Sequence, residues 1–272
     1  MTTPSVIVIQ SDNRTNLNYL NNTRTINETA CAKLNYKYIF IDMNVIIKKY
    51  KIHHSWDKYV GMIGKIYLIY DFLINNNHDI IIFLDSDAWI QELYYLEQLI
   101  NNLYNNNKNG CFSRDPYFNK ATFINSGSFI IKNNDYIKQM YTQLIKTYEL
   151  FKKNNSTDAC LNPTDKYDDF KKVYGDQYFI SDYVDKNKLD FMIFKPNILN
   201  TPSGIILRHN WWKHISLFND TNDILNNKII FKKDFFNIES YFDTEEYPNT
   251  SNQTAENSYC YPIETAQKYG LV

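Results

Sequence analysis

The sequence lacks the features typical of secreted, membrane-spanning or nucleic-acid-binding proteins. Its four cysteines lie far apart without a C-x-x-C pair, so they indicate neither a disulfide framework nor a zinc site. No apolar run reaches the ~20 residues that cross a bilayer, and the first residues, MTTPSVIVIQSD, do not resemble a signal peptide. Lysine and arginine total 29 against 30 acidic residues, which gives no general attraction to nucleic acid. We therefore expect a cytoplasmic protein with no transmembrane segment and no nucleic-acid partner.

Glycine is also scarce, with seven residues in 272. Three of the seven, Gly127, Gly175 and Gly204, adjoin polar motifs that are described below. Because asparagine serves many turns in this chain, glycine is expected where the backbone needs a positive φ or a close approach by another group.

Strand and helix patterns alternate through the first half of the chain. Runs of β-branched and aromatic residues predict strands, and apolar residues at helical spacing predict helices. Strands are predicted at 5–9, 36–42, 80–84, near 111–112, and at 128–131, 191–194 and 204–209, and helices at 15–34, 56–74, 93–103, 135–151 and 174–184. The alternation predicts an α/β fold with a mostly parallel central sheet flanked by helices.

No linker or repeat divides the chain, and 44% of its residues are hydrophobic, enough for a substantial core. Residues 1–272 are therefore expected to form a single domain. Within it, the polar stretch 152–169 is predicted to be a surface loop. Residues 215–272 are weakly patterned and are predicted to pack on the domain as a C-terminal extension.

The third predicted strand ends in two carboxylates, within the segment IIIFLDSDAWI at 80–90. Asp85 and Asp87 are two residues apart, so they point to the same side of an extended chain. Ligands of open α/β sheets bind at the carboxyl ends of strands. Because burying charge is costly unless it is paired or bound to metal, the simplest interpretation is a shared cation.

Three interpretations of this pair stay open on the residues alone. The aspartates could simply cap a turn or a helix. Haloacid-dehalogenase phosphatases also end a strand in D-x-D, but their motif continues with Gly-Thr on the first strand, whereas Ala88-Trp89 follow here on the third. In nucleotide-sugar glycosyltransferases, a D-x-D pair binds Mg²⁺ or Mn²⁺ together with a diphosphate.

Six stretches, in order, resemble glycosyltransferase family 34, whose members are metal-dependent, retaining enzymes with the GT-A fold. They are RTINETACAKLNY (24–36), SWDKYVGMIGKI (55–66), FLDSDAWI (83–90), SRDPYFNKATFINSGSFIIKN (113–133), GDQYFI (175–180) and IILRHNWWK (205–213). Asn35-Tyr36 depart from the His-Gly-like pair of the family. The resemblance covers about residues 5–215. It implies a GT-A fold, a nucleotide-sugar donor, with UDP-sugar favoured, and a glycan or other hydroxyl acceptor.

The same resemblance implies a set of metal and diphosphate ligands. Asp85, Asp87 and His209 would bind Mn²⁺ or Mg²⁺. Lys213 would neutralise the diphosphate as a point charge, and Lys65 is a second candidate for this role. For Lys65, an ordinary solvated position on a helix is the alternative.

The sugar and the reaction centre would be served by the remaining motif residues. Donor-sugar contacts are expected from Asp115, Asn125, Ser126 and Gly127. Asp176 and Gln177 would lie at the reaction centre, where an oxygen on the β face of the sugar stabilises an oxocarbenium-like species. Trp211, beside Trp212, is expected to stack on a sugar or to lie in the core. The functional alternatives are a metal-dependent phosphatase or phosphotransferase and a non-catalytic nucleotide-sugar- or glycan-binding GT-A module.

Overall fold

The structure, a computed structural model, describes residues 3–52, 57–115, 123–154, 175–201 and 204–210, together with residues 221 and 225. The elements in chain order are β1 Val6–Asp12, α1 Leu20–Leu34, β2 Lys37–Asp42, α2 Met43–Tyr50, α3 Asp57–Asn75, β3 Ile80–Asp85, β4 Ala88–Ile90, α4 Leu93–Asn105, β5 Gly110–Arg114, β6 Ile124–Lys132, α5 Asp135–Asn154, α6 Asp176–Lys186, β7 Met192–Phe194, α7 Pro196–Leu199 and β8 Leu207–His209. A short 3₁₀ helix, Lys188–Asp190, precedes β7.

The central sheet has six strands in the order β2-β1-β3-β6-β5-β7. All but β6 run in the same direction, because β1 pairs in parallel with β2 and β3, β5 pairs in parallel with β7, and β6 is antiparallel to both of its neighbours. The predicted fold class, α/β with a mostly parallel sheet flanked by helices, is confirmed.

Strand β3 is apolar on both faces because both faces are covered. Ile81 and Phe83 belong to one core layer, with residues of α3 and α5. Ile80, Ile82 and Leu84 belong to the opposite layer, which includes residues of α4. The sequence therefore places the aspartates at the end of a fully buried central strand.

The reversed direction of β6 determines where its first residues lie. In a fully parallel sheet, a loop that enters a strand lies at the edge opposite the carboxyl ends. Here Ser128 pairs with Leu84, at the end of β3, and Asn125 pairs with Ser113, at the end of β5. The start of β6 therefore reaches the same edge as Asp85.

A second, two-stranded sheet consists of β4 and β8, which are antiparallel. His209 lies opposite Ala88, one residue from Asp87. The sequence predicted a strand over 204–209, but the structure limits it to Leu207–His209. The chain turns beforehand, at Gly204, where a Cβ atom would lie 2.0 Å from the carbonyl oxygen of Leu207.

Three short elements, α2, β4 and α7, were not predicted. Helix α2 follows β2 without a loop, and Asp42 caps it by accepting a 2.9 Å hydrogen bond from the amide of Asn44. Because strand and helix run together here, no turn signal separates them in the sequence. Helix α5 extends to Asn154, so residues 152–154 of the predicted loop are helical.

The rest of that loop and nearly all of 215–272 lie outside the described residues, and the single-domain arrangement stays a prediction. None of the described helices combines the length and the apolar character needed to cross a membrane.

Candidate active site

Asp85, Asp87 and His209 come together at the carboxyl edge of the sheet. One ligand atom from each side chain can be chosen so that all three lie within 4.8 Å of one another. Nε2 of His209 is 3.1 Å from Oδ1 of Asp87 and 3.8 Å from Oδ2 of Asp85. Two carboxylate oxygens and one imidazole nitrogen form a donor set that could hold a divalent cation.

The turn that carries the two aspartates is held from below by the buried side chain of Gln10. Its amide nitrogen lies 3.1 to 3.2 Å from the carbonyl oxygens of Asp85, Ser86 and Ala88. The amide of Asn27 continues this contact, since it donates to the carbonyl of Ala88 and accepts from the backbone amide of Ile90. These hydrogen bonds satisfy the buried carbonyl oxygens of the turn and hold the backbone from which Asp85 and Asp87 project.

The ring of His209 is seated against the start of β6. A Cβ atom at Gly127 would lie 1.9 Å from its Cε1 and 2.2 Å from its Nδ1. The same Nδ1 is 3.1 Å from Oδ1 of Asn200. Gly127 therefore lies where the ring of His209 approaches the backbone, in agreement with the predicted need for a close approach.

Lys65 of α3 is only 5% exposed and lies between two acidic side chains. Its Nζ is 2.9 Å from Oδ1 of Asp85, 2.9 Å from Oδ2 of Asp176 and 3.0 Å from the carbonyl oxygen of Ser126. Three acceptors match the three N–H donors of an ammonium group. Lys65 is thus not the solvated helix lysine that the sequence left open.

Asp115 and Gln177 are joined by a direct hydrogen bond. Nε2 of Gln177 donates to Oδ2 of Asp115 at 2.6 Å, while Oε1 of Gln177 accepts from the amide of Ser126 at 3.4 Å. The hydroxyl of Ser126 donates to Asp176 at 2.7 Å. Asn125 completes the group, since its Oδ1 accepts from the amide of Gly127 at 2.9 Å.

Helix α6 begins at Asp176, where the helix dipole favours a negative charge.

These contacts shift the pKa values of the clustered groups. Burial raises the pKa of Asp85 to about 6, although Lys65 and His209 oppose the shift. Burial also acts to raise the pKa of Asp87, but His209 outweighs it and the pKa is lowered. Burial acts to lower the pKa of His209, yet the two carboxylates raise it above 6.5. For Lys65, Asp176 and Asp85 outweigh burial, so its pKa is raised and the ammonium stays charged.

The structure brings most of the predicted site residues into one region. They are Lys65, Asp85, Asp87, Asp115, Asn125, Ser126, Gly127, Asp176, Gln177 and His209. Trp211, Trp212 and Lys213 lie outside the described residues.

Gln10 and Asn200 are among the residues of the region that were not predicted from the sequence. Gln10 did carry a signal, because a polar residue follows the apolar run VIVI inside β1 and is fully buried. Asn200 carried none, since asparagine is common throughout this chain and the short helix before it was not predicted.

No protein-family model matches this sequence, and no curated protein matches it. Solved structures do match. A glycosyltransferase involved in the glycosylation of the major capsid of PBCV-1 has a TM-score of 0.55 at 11% identity, with 80% of this chain and 100% of that chain covered. This match confirms the GT-A fold.

Two further solved structures are similar at a lower score. Mouse xyloside xylosyltransferase 1, in its apo form, has a TM-score of 0.47 at 13% identity, with 76% of this chain and 97% of that chain covered. The galactosyltransferase LgtC, in complex with donor and acceptor sugar analogs, has a TM-score of 0.47 at 10% identity, with 80% and 95% covered.

Proposed function

We propose that this chain is a metal-dependent glycosyltransferase that moves a sugar from a nucleoside-diphosphate sugar, with UDP-sugar favoured, to a glycan or other hydroxyl acceptor. The observation that carries the proposal is the convergence of Asp85, Asp87 and His209 at the carboxyl edge of a GT-A sheet. Ligands of open α/β sheets bind at this edge. Fold alone does not determine activity, so the proposal depends on the chemistry of these side chains.

Asp85, Asp87 and His209 would bind Mn²⁺ or Mg²⁺. A bound divalent cation would act as a Lewis acid and neutralise the charge of the departing diphosphate. Lys213 would add a point charge to the diphosphate, and Trp211 would stack on a sugar. The role of Lys213 comes from the resemblance to family 34, whereas that of Trp211 rests on the packing of sugar C–H faces against aromatic rings.

Lys65 supports the site through its contacts with protein groups. Since its three donors already have acceptors in Asp85, Asp176 and Ser126, we assign it the positioning of these two carboxylates in preference to direct contact with the diphosphate. A buried cation between them also reduces their mutual repulsion. It therefore lets a metal ligand and a residue of the reaction centre remain charged within one pocket.

Transfer would retain the anomeric configuration. Gln177, oriented by its bond to Asp115, would present an amide oxygen to the β face of the sugar, where it stabilises positive charge in the transition state. The carboxylate of Asp176 forms an ion pair with Lys65 and accepts a hydrogen bond from the hydroxyl of Ser126. These contacts suit an electrostatic role for Asp176 better than the role of a free nucleophile. The acceptor hydroxyl would then attack on the face from which the diphosphate leaves.

Incubation with a panel of UDP- and GDP-sugars tests this proposal without knowledge of the acceptor. Cleavage of the anomeric C–O bond by water releases the free sugar and the nucleoside diphosphate. We expect this release with Mn²⁺, its loss in EDTA and its loss in Asp87→Asn. A metal-dependent phosphohydrolase would instead cleave the P–O–P bond of the donor and release a nucleoside monophosphate and a sugar 1-phosphate, and a binding module would bind the donor without turnover.

A further inference from the structure

We propose that Asn200 is a positioning residue that sets the tautomer of His209, so that the imidazole offers Nε2 to the cation. The inference rests on the proposed metal site and extends it to a residue outside the three proposed ligands. Asn200 is fully buried and follows α7, in a part of the chain where the sequence predicted no functional group.

The orientation of the Asn200 amide is fixed by backbone groups of β6. Its Nδ2 donates to the carbonyl oxygens of Asn125 at 3.0 Å and of Ser128 at 2.7 Å. Its Oδ1 accepts from the amide of Ser128 at 3.1 Å. A flipped amide would place NH₂ against an N–H donor and oxygen against two carbonyls, so only one orientation satisfies all three contacts.

This orientation determines the proton on His209. Oδ1 of Asn200 can only accept a hydrogen bond, so Nδ1 of His209, 3.1 Å away, must be the donor. In the neutral ring the lone pair then belongs to Nε2, which lies 3.1 Å from Asp87 and 3.8 Å from Asp85. The nitrogen that faces the two carboxylates is therefore the one that is able to bind a cation.

Without Asn200, the opposite tautomer would be preferred. A proton on Nε2 would point at Oδ1 of Asp87 and form a charge-assisted hydrogen bond, which competes directly with the cation. The acceptor on Asn200 opposes this outcome by giving the Nδ1 proton a buried partner.

The backbone reinforces the contact, since the amide of His209 donates to the carbonyl of Thr201 at 3.1 Å. The segment that carries Asn200 and the strand that carries His209 are thus joined at both backbone and side chain.

Two variants separate the acceptor from the rest of the Asn200 side chain. Asn200→Leu and Asn200→Asp both remove the amide donors to β6, but only aspartate keeps an oxygen for Nδ1–H. We expect Asn200→Leu to weaken Mn²⁺ binding, measured by calorimetry, by about 10- to 100-fold. Asn200→Asp should stay within a few-fold of the wild type, even where both variants melt at a similar, lowered temperature.

Ser181→Ala serves as the matched structural control. Ser181 is buried, and its hydroxyl forms hydrogen bonds with the backbone of Ile124 in β6, the strand that Asn200 also contacts. It does not contact His209. It should lower the melting temperature and leave the Mn²⁺ affinity unchanged. Equal Mn²⁺ affinities in the wild type and Asn200→Leu would overturn the role of Asn200 while leaving the metal site intact.

A second measurement tests the tautomer in the wild-type protein. Long-range ¹H–¹⁵N correlation at a pH above the His209 titration, with the signal assigned through His209→Gln, distinguishes protonated from bare ring nitrogens. We expect protonated Nδ1 both without metal and with Mg²⁺ bound. Protonated Nε2 in the metal-free protein would refute the inference, whereas failure of the wild type to bind any divalent cation would refute the proposed function instead.

Discussion

His209 fills the space that a side chain at Gly127 would need. A Cβ atom there would lie 1.9 Å from Cε1 of the ring, far inside normal contact distance, and the neighbouring atoms belong to a buried imidazole with little freedom to move. The motif Asn125-Ser126-Gly127 thus has a steric reason for its glycine that is independent of any sugar: the glycine leaves room for the imidazole of His209.

Gly127→Ala should therefore displace His209, one of the three proposed metal ligands. We expect Mn²⁺ affinity, measured by calorimetry, to fall by at least about 10-fold. Gly61→Ala is the control, because the three atoms nearest to its Cβ all belong to the end of the Asn13 side chain, the first at 2.9 Å, and this side chain can rotate away. Unchanged Mn²⁺ affinity in Gly127→Ala would contradict the seating of His209 described above.

Lys65→Met tests the buried ammonium. It leaves Asp85 and Asp176 without their shared cation, and removing one partner of a buried pair costs about 3 to 5 kcal/mol. Urea denaturation should show this loss, and adding Asp176→Asn should recover part of it. Lys49→Met is the matched control, since Lys49 pairs with Asp71 at the surface and should contribute about 1 kcal/mol or less. Similar losses in both lysine variants would argue against a special role for Lys65.

Stability and metal binding should depend on pH with opposite signs. The folded-state pKa values of Asp85, about 6, and of His209, above 6.5, exceed their unfolded values. Their contribution to stability is therefore present at low pH and is lost as pH rises through these values. Mn²⁺ needs the same atoms unprotonated, so it binds better as pH rises. Asp87, whose pKa is lowered, has the opposite effect on stability, but only in the acid range below about pH 4.

We thus expect Mn²⁺ to raise the melting temperature more at about pH 8 than at about pH 5.5. His209→Gln should reduce the difference between the rises in melting temperature at the two pH values. An equal rise at both pH values would exclude His209 and Asp85 as ligands.

Gln177→Ala should separate binding from turnover. The variant keeps the metal ligands, so Mn²⁺ and UDP should bind as in the wild type, while donor cleavage falls by at least about 100-fold if the amide acts only in the transition state. With an acceptor in hand, the coupling constant of the new anomeric proton reports the stereochemistry of the first-formed product. A β-linked product from an α-linked donor would overturn retention but not the metal site.

The sequence predicted those parts of the site in which a secondary-structure pattern ends in residues of a recognisable ligand type. The run IIIFL predicted a buried strand, and the two carboxylates at its end predicted ligands at the sheet edge; the structure has the strand and brings both carboxylates together with His209 at that edge. His209 was identified through the motif that follows it and not through any local property of a lone histidine.

The remainder depended on contacts that are distant in sequence. The antiparallel direction of β6, which brings Asn125 and Ser126 to this edge, is a property of pairing and leaves no mark on the strand's own residues. Gln10 and Asn200 act on backbone and ring atoms 75 and 9 residues away, respectively. The contacts of Gln10 and Asn200 can be recognised only in the folded structure, where these side chains lie beside the atoms that they contact.

The most direct test of the metal-bridged nucleotide site is a thermal melt with UDP, in Mn²⁺ and in EDTA. Ligand at 100 times its Kd stabilises the folded state by about 2.7 kcal/mol, which corresponds to a rise of about 5 °C for a chain of this size. We predict this rise for UDP with Mn²⁺ beyond that of Mn²⁺ alone, a smaller one for GDP, and none in EDTA or in Asp85→Asn and Asp87→Asn. An equal rise with UDP in EDTA, or no rise with either nucleotide in Mn²⁺, would contradict the account.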